Sequence, residues 1–306
     1  MRRVNRSLGD FFGLFVPEAA SHRFKADMKA MYEPLYAEIQ EALLRGSILH
    51  IDETPVNLRG NAAGYVWVLA TPDKVYFFFK PSREGDFLEQ MLAPFQGILI
   101  SDFFTAYDSL PCRQQKCLAH LVRDIDEDLF RNPLDAELKG IAQNFGTLLN
   151  YIVGTVDKYG LKRRYLQKHK REVRRFLDSV AATDVNSELA SKYKKRFERS
   201  GAKMFTFLDY DGVPWNNNNA EHAIKFFAKF RQHADGRFTE SSLRDYLVLA
   251  SVFTTCEFNN VNPLKFLLSK ETTLDGLLRM AGRMRQPQPS RQTGTLPDAI
   301  EDCGQR

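Results

Sequence analysis

The sequence predicts a mixed α/β fold, with a sheet flanked by helices and a helical insertion within the chain. Three β-rich runs, 47–58, 65–70 and 75–79, follow one another closely and predict an antiparallel meander. A helix-like segment, 84–92, then leads to a compact apolar strand, while 133–200 has helical spacing almost throughout. Strands that alternate with helices, interrupted by a long helical stretch, are typical of this class.

Length and composition indicate a globular protein that works in the cytoplasm. The 306 residues suffice for one large domain with an insertion or for two ordinary domains. The chain is 43% apolar and 26% charged, and no apolar run is long enough to span a bilayer. The apolar run 11–16 is too short for an export signal, and the four cysteines lack paired spacing. We therefore expect no membrane partner and no disulfides.

The net charge of +5 hides an uneven distribution. Residues 158–200 contain fourteen Lys/Arg and five Asp/Glu, so this block alone has an excess of +9 and the remainder is slightly acidic. A basic block suits a polyanion such as DNA, although a solvated helix surface has the same composition.

Two acidic residues are predicted at strand ends. The apolar run Ile48–Ile51 leads into Asp52, and the later apolar strand 97–100 stops at Asp102. Residues 71–74, between the second and third runs, have the composition of a hairpin turn. A further short strand is expected at 116–118.

Helices are predicted before and after these strands in the sequence. Apolar residues at helical spacing predict a helix over 17–44, and 120–131 is charged and helix-like. Four asparagines, 216–219, are good N-caps, so a helix should begin there. A last long helix is expected over 240–258.

These elements predict five segments along the chain. They are a helical arm (1–46), the first part of the core (47–125), a basic helical insertion (126–205), the second part of the core (206–270), and a disordered tail (271–306).

The two aspartates suggest a metal site. In a sheet of order 3-2-1-4 the strands that carry Asp52 and Asp102 are neighbours, roughly 4.8 Å apart, which is the arrangement of a ribonuclease-H-like fold. Mg²⁺ prefers oxygen ligands, so these carboxylates and a substrate phosphate could complete its shell. Taken singly, Asp52 could equally be a turn residue and Asp102 a helix cap.

Glu221 is the best candidate for a third carboxylate. It lies in the first turn of the helix that the asparagines begin, and Asn218, Lys225 and Lys229 share its face. Such a face offers carboxylate to metal and ammonium to phosphate. An acid that complements the helix dipole would look the same.

Five motifs together resemble the insertion-sequence-66 family of bacterial transposases. They are Asp52-Glu53-Thr54; Ser101-Asp102 with Ala106-Tyr107; Cys117-Leu118-Ala119-His120 with Arg123; Asn218-Asn219-Ala220-Glu221 with Lys225; and Asn262-Pro263. The similarity covers about residues 20–270, and the motifs occur in the family's order.

The resemblance implies a ribonuclease-H-like catalytic core with a helical insertion, and Mg²⁺-dependent DNA cleavage and strand transfer, with Mn²⁺ as a substitute. Asp52, Asp102 and Glu221 match the family's catalytic and metal-binding triad. His120 and Arg123 are expected to touch DNA phosphate, as are Asn218, Lys225, Lys229 and Arg231 on the glutamate helix. The expected partners are double-stranded DNA as element ends and target, a second copy of the chain, and accessory proteins of the same element, at the bacterial nucleoid.

The chain departs from the family pattern at Phe103, Leu118 and His222, where glycine, tryptophan and arginine are usual. Family members usually carry DNA-binding and zinc-binding segments upstream of the first strand. Only about 46 residues precede it here, so we expect either a truncated copy or dependence on partner proteins.

Other readings remain open on the sequence alone. A metal-dependent nuclease on the same fold would hydrolyse DNA without joining it, and a DNA-binding remnant would have no activity. Cys117 and His120 have the spacing of a zinc pair but lack a second pair. The resemblance implies instead that Cys117 packs in the core. Trp215 is expected to pack in a loop, with stacking on an unpaired base as the alternative.

Overall fold

A computed structural model describes residues 2–60, 62–234 and 236–282. The described residues divide into two compact units, of which the first comprises 2–85 and 219–282. The second comprises Asp86–Asn218. Strands and helices occur in both units, which confirms the mixed α/β class. The predicted partition into core and insertion stays a prediction.

The described elements follow one another in this order: α1 (Arg2–Phe12), α2 (Glu18–Leu44), β1 (Ile48–Asn57), β2 (Ala63–Ala70), β3 (Val75–Lys80), α3 (Asp86–Leu92), β4 (Ile98–Ser101), β5 (Arg113–Lys116), α4 (Leu118–Arg131), α5 (Ala136–Tyr159), α6 (Arg163–Leu166), α7 (Lys170–Ala182), α8 (Glu188–Met204), α9 (Asn218–Ala234), α10 (Glu240–Phe258), α11 (Pro263–Ser269) and α12 (Leu274–Gly282). Short 3₁₀ turns occur at 105–107, 167–169 and 206–208.

The three strands of the first unit form the predicted antiparallel meander, with β2 between β1 and β3. The hairpin turn is closed by Thr71, whose N–H donates to the Lys74 carbonyl (2.9 Å) and whose Oγ1 accepts the Lys74 N–H (3.1 Å). The meander and its turn are therefore confirmed.

The sequence predicted that Asp52 ends β1, and this prediction is wrong. Asp52 is the fifth of ten residues and pairs with Val68 in the middle of the ladder. Beyond Asp52 the strand continues with only one of its faces covered. Thr54 and Val56 are buried while Pro55 and Asn57 are exposed, which is the alternation expected of such a strand. The apolar run marks only the part of β1 that is buried on both faces.

One face of the meander packs against α9 and α10. The buried cluster on this face joins residues of all three strands to residues of both helices, and its members are Val56, Leu58, Val66, Val68, Ala70, Val75, Phe77, Phe79, Ala220, Ala223, Phe227, Phe238, Leu243, Leu247 and Ala250. The predicted helix over 240–258 matches the bounds of α10, and α2 confirms the helix predicted over 17–44.

Side chains of α10 also satisfy the backbone of β3 on the side away from β2. Ser251 Oγ accepts the Phe77 N–H (2.8 Å), and Thr255 Oγ1 accepts the Val75 N–H (3.1 Å) while donating to the Val75 carbonyl (3.3 Å). From α2, the Tyr36 hydroxyl donates to the Phe77 carbonyl (2.7 Å). This edge of the meander is thus closed by side chains, which prevents further strand pairing there.

In the second unit β4 and β5 form a parallel pair, with Ser101 opposite Lys116. The strand expected at 116–118 is wrong in its bounds: β5 spans Arg113–Lys116, and helix α4 already begins at Leu118. The error has a physical cause, because β5 is polar in sequence yet buried. Gln115 donates to the Met204 carbonyl (2.7 Å) and accepts the Phe207 N–H (2.8 Å).

The helices α5, α7 and α8 form a local core of their own around three phenylalanines. The rings of Phe145, Phe176 and Phe197 lie 5.1 to 5.9 Å from one another. Asp135 caps α5 by accepting the Leu138 N–H (2.9 Å), and Ser187 caps α8. The helical spacing read over 133–200 is confirmed.

The predicted disordered tail starts too early. Residues 274–282 form α12, in which Leu274, Leu277 and Ala281 are buried, and the Leu274 N–H donates to Glu38 Oε2 of α2 (2.7 Å). The rest of the predicted tail, 283–306, lies outside the described residues.

Thr255→Val should destabilise the protein, because it leaves the N–H and carbonyl of Val75 at the covered edge without their partner. Loss of a partner to buried backbone groups costs about 1–3 kcal/mol. Chemical unfolding followed by circular dichroism measures the change.

Thr254→Val is the matched control. Thr254 is equally buried, and among the described residues its hydroxyl has no hydrogen-bond partner. The same substitution there should leave the free energy of unfolding unchanged or raise it. Equal losses in the two variants would contradict the role of Thr255 at the edge.

Candidate active site

Asp52 lies on the face of the meander that α9 covers. Directly paired residues of an antiparallel sheet share a face, and Asp52 pairs with Val68, which pairs with Phe77. Phe77 in turn contacts Phe227 of α9, with ring centroids 6.4 Å apart. Asp52 is half-buried, and its Oδ1 accepts the Glu53 N–H (3.0 Å), which helps to orient the carboxylate.

The neighbouring acid, Glu53, belongs to the opposite face. It pairs with Trp67 in the ladder, and its Oε1 accepts from Arg83 Nε (2.8 Å) and Nη2 (2.5 Å). The two adjacent carboxylates of the Asp-Glu-Thr motif are thus separated by the pleat, and Asp52 is the one on the α9 side.

Helix α9 is fastened to β1 at two points that bracket its length. Near its start, Asn219 Nδ2 lies 3.1 Å from Nε2 of the buried His50, two residues before Asp52. Near its end, Arg231 Nη1 donates to Thr54 Oγ1 (2.7 Å) and also to the Pro55 carbonyl. Because both contacts run in the same chain order, α9 lies along β1 in the same direction.

Glu221 lies in the first turn of α9, as predicted, and is half-buried. Its helical spacing from Asn218, Lys225 and Lys229 puts these four residues on one side of the helix, where the other three are exposed. The apolar stripe of Ala220, Ala223 and Phe227 faces the sheet instead. Arg231 belongs to the sheet side, which explains its contact with β1.

Asp102 follows directly after β4, so its predicted position at a strand end is confirmed. Its Oδ1 accepts the Phe104 N–H (2.9 Å), which fixes the turn that leaves the strand. Near Asp102 lies Lys116, which the sequence did not predict as a residue of the site. Lys116 is 1% exposed, and its Nζ contacts Ser101 Oγ (3.3 Å) and Asp108 Oδ1 (3.2 Å).

Burial lowers the pKa of Lys116 from its ordinary value, and the carboxylate of Asp108 opposes this shift. A buried cation next to the residue that precedes Asp102 makes the surroundings of that carboxylate more positive. Hydropathy could not reveal Lys116, because a lysine in a polar segment is expected at the surface.

His120 and Arg123 lie on the first turns of α4, where His120 is half-buried and Arg123 is exposed. Cys117 occupies the position just before this helix and is buried, as expected, and its Sγ accepts the Asn217 N–H (3.2 Å). The carbonyl of Trp215 accepts the Leu118 N–H (2.9 Å) and its side chain is 6% exposed. Trp215 therefore packs in the loop, and stacking of its ring on an unpaired base is not supported.

The model of the family described as "Transposase IS66 family" matches residues 1–241. The match covers well over half of the chain. This protein belongs to that family. Among the described residues, no helix is both long and apolar enough to cross a bilayer.

Three relatives of this IS66-family chain come from Sinorhizobium fredii (strain NBRC 101917 / NGR234) and are uncharacterized proteins. The chain is 24% identical to y4jD over 69% of its own length, 21% identical to y4hP over 76%, and 22% identical to y4qI over 75%. The matches cover 45%, 49% and 48% of the relatives. The chain thus spans about half the length of these proteins.

Asn219→Ala should loosen the start of α9 from β1. The loss of one hydrogen bond to a buried group lowers the free energy of unfolding by about 0.5–1.5 kcal/mol. Asn218→Ala, the same change on an exposed neighbour, should have a smaller effect. Urea unfolding of both variants measures this, and equal destabilisation would contradict the anchoring role of Asn219.

Lys116→Met should change how stability depends on pH. Since folding lowers the pKa of Lys116, the unfolded chain binds its proton more tightly, and protonation opposes folding. The free energy of unfolding of the natural protein, relative to Lys116→Met, should therefore rise as pH rises through the lowered pKa toward 10.5. A constant difference across that window would contradict the burial of a charged lysine.

Proposed function

We propose that this protein is a metal-dependent transposase that cleaves DNA at the ends of an insertion sequence and joins those ends to target DNA. One observation carries the proposal. In a member of the IS66 family, Asp52 lies on the sheet face covered by α9, and α9 carries Glu221 in its first turn. Asp102 at the end of β4 is proposed as the third acid.

The donor chemistry of these residues fits magnesium. All three offer carboxylate oxygens, the ligands that Mg²⁺ and Mn²⁺ prefer. Two of the carboxylates are oriented by backbone N–H groups, those of Glu53 and Phe104. When bound, the metal supplies a Lewis acid that activates the attacking oxygen and stabilises the leaving oxygen.

The proposed reaction is an in-line displacement at phosphorus, carried out twice. Water first attacks a phosphodiester at the element end, and the bond from phosphorus to the 3′ oxygen breaks, which leaves a 3′-hydroxyl. That hydroxyl then attacks a phosphodiester of the target, so one bond forms as another breaks. The carboxylates hold the reacting groups in place for both steps.

Cationic side chains are proposed to hold the DNA beside the acids. Lys225 and Lys229 are exposed on the same side of α9 as Glu221 and suit phosphate contacts, with Asn218 at the start of the helix. His120 and Arg123 are proposed to act from α4. Arg231 already holds α9 on β1, so any phosphate contact it makes would use the remaining donors of its guanidinium.

The proposed partners follow from the reaction. Double-stranded DNA serves as element end and as target, and two ends must be held together, which calls for a homodimer in the DNA complex. Accessory proteins of the same element are proposed as further partners. Since the proposed substrate is chromosomal, the site of action would be the bacterial nucleoid.

Asp52→Asn, Asp102→Asn and Glu221→Gln should each lower the rate of Mg²⁺-dependent cleavage of element-end DNA by at least about a hundredfold, since even residues behind a metal ligand affect activity 10–100-fold. Gel assays with labelled end DNA measure the rate, and binding in EDTA should persist.

Glu53→Gln is the matched control, since it removes a carboxylate from the next residue of β1 but from the opposite face. It should retain most of the activity. Unchanged cleavage in Asp52→Asn would overturn the proposal, and cleavage without any joined product would identify a nuclease instead.

A further inference from the structure

We propose that one surface of the second unit binds the phosphate backbone of duplex DNA independently of the acidic residues. It is formed by the end of α5, by α6, by the 3₁₀ turn at 167–169, and by the first turns of α7. We call it the α5–α7 cation surface, and it consists of Lys158, Arg164, Lys168, Arg171, Arg174 and Arg175. The proposal rests on the proposed function only for the choice of nucleic acid as the partner.

The basic block of the sequence divides into two parts with different roles. On α8 the cations are largely engaged by acids of the second unit. Lys192 Nζ contacts Asp128 (2.7 Å) and Arg196 Nη1 contacts Asp124 (2.6 Å). These pairs tie α8 to α4, so the α8 part of the block stabilises the helical packing.

The residues of the α5–α7 cation surface are all exposed. Within the part of the chain that the structure describes, none of the six forms an ion pair, whereas their neighbour Lys170 contacts Asp209 (2.8 Å). Six like charges without neutralising partners repel one another, and a polyanion that approaches them relieves this repulsion.

Three of the cations lie over tyrosine rings. Lys158 lies 5.2 Å from the ring of Tyr159, and Arg164 lies 4.6 Å from the ring of Tyr165. The two rings stack on each other with centroids 4.3 Å apart. A cation held over a ring loses part of its rotational freedom before any ligand arrives, which lowers the entropic cost of binding.

The third ring contact anchors the surface to the core of the second unit. Lys168 lies 5.7 Å from the ring of Tyr151, which packs edge-on against His169. His169 is fully buried, and its Nε2 lies 2.8 Å from Thr155 Oγ1 of α5. The short segment between α5 and α7 is thereby fixed to α5.

The remaining cations continue the surface along α7. Arg171, Arg174 and Arg175 recur at intervals of three and four, so they share one side of the helix. The opposite side, with Val173 and Phe176, is buried against the other helices. Duplex DNA carries a negative charge about every 1.7 Å along its axis, so a row of arginines can meet several phosphates at once.

The ring contacts favour duplex DNA over a single strand. Proteins that bind single strands offer ring faces on which bases can stack. Here the faces of Tyr159 and Tyr165 are occupied by each other and by their cations. The surface therefore presents charge, which suits a backbone whose bases are paired.

The test compares two triple variants with equal net charge. Arg171→Gln, Arg174→Gln and Arg175→Gln remove three charges from the surface, while Arg45→Gln, Lys265→Gln and Arg279→Gln remove three exposed charges from the first unit. Binding of the full chain to a random-sequence duplex is measured in EDTA at several salt concentrations, beside the single strand of equal length and vesicles rich in phosphatidylserine.

The first variant should bind the duplex at least about tenfold more weakly, and the slope of log K against log salt should fall in magnitude by about 2 to 3, because each phosphate contact contributes about 0.9. The second variant should bind almost as the natural protein does. Equal behaviour of the two variants would overturn the proposal, as would a loss confined to the single strand or to the vesicles.

The binding test of the α5–α7 cation surface can fail independently of the test of the proposed function. Binding in EDTA involves no cleavage. If the protein binds the duplex through this surface but never cleaves it, only the transposase mechanism is contradicted. Cleavage in Mg²⁺, together with a duplex affinity that does not change when the three arginines are substituted, would contradict only the proposed DNA-binding surface.

Discussion

The packing of α9 on one face of the meander is the contact on which the proposed chemistry depends. An apolar stripe of small residues and Phe227 lets the helix approach the sheet closely, and polar contacts at each end set its direction and register. Without the polar contacts at its two ends, the stripe alone would allow the helix to slide. The contact between His50 and Asn219 holds the start of α9 at a point of β1 that is two residues before Asp52. Glu221 lies two residues after Asn219 on the helix.

Sequence patterns predicted the elements whose burial is apolar and regular. The helices over 17–44 and 240–258 and the hairpin turn at 71–74 follow from spacing and turn chemistry alone. The position of Asp52 within β1 did not, because an acid after an apolar run resembles a strand end unless the partner strand is known.

Polar elements that are buried through specific hydrogen bonds escaped prediction for a related reason. In β5, Gln115 and Lys116 are covered by backbone and side-chain partners that come from distant parts of the sequence. Composition records their polarity but not their partners. The same limit applies to the basic block, since its sequence does not distinguish cations paired on α8 from cations exposed on α7.

The covered edge of β3 has a consequence for synthesis on the ribosome. Its backbone partners, Ser251 and Thr255, lie 174 and 180 residues later in the chain. At translation rates of about 5–20 residues per second, the phenylalanine-rich strand emerges roughly 10–35 seconds before they do. During that interval a nascent chain carries an open, apolar edge, the kind of surface that recruits holding chaperones.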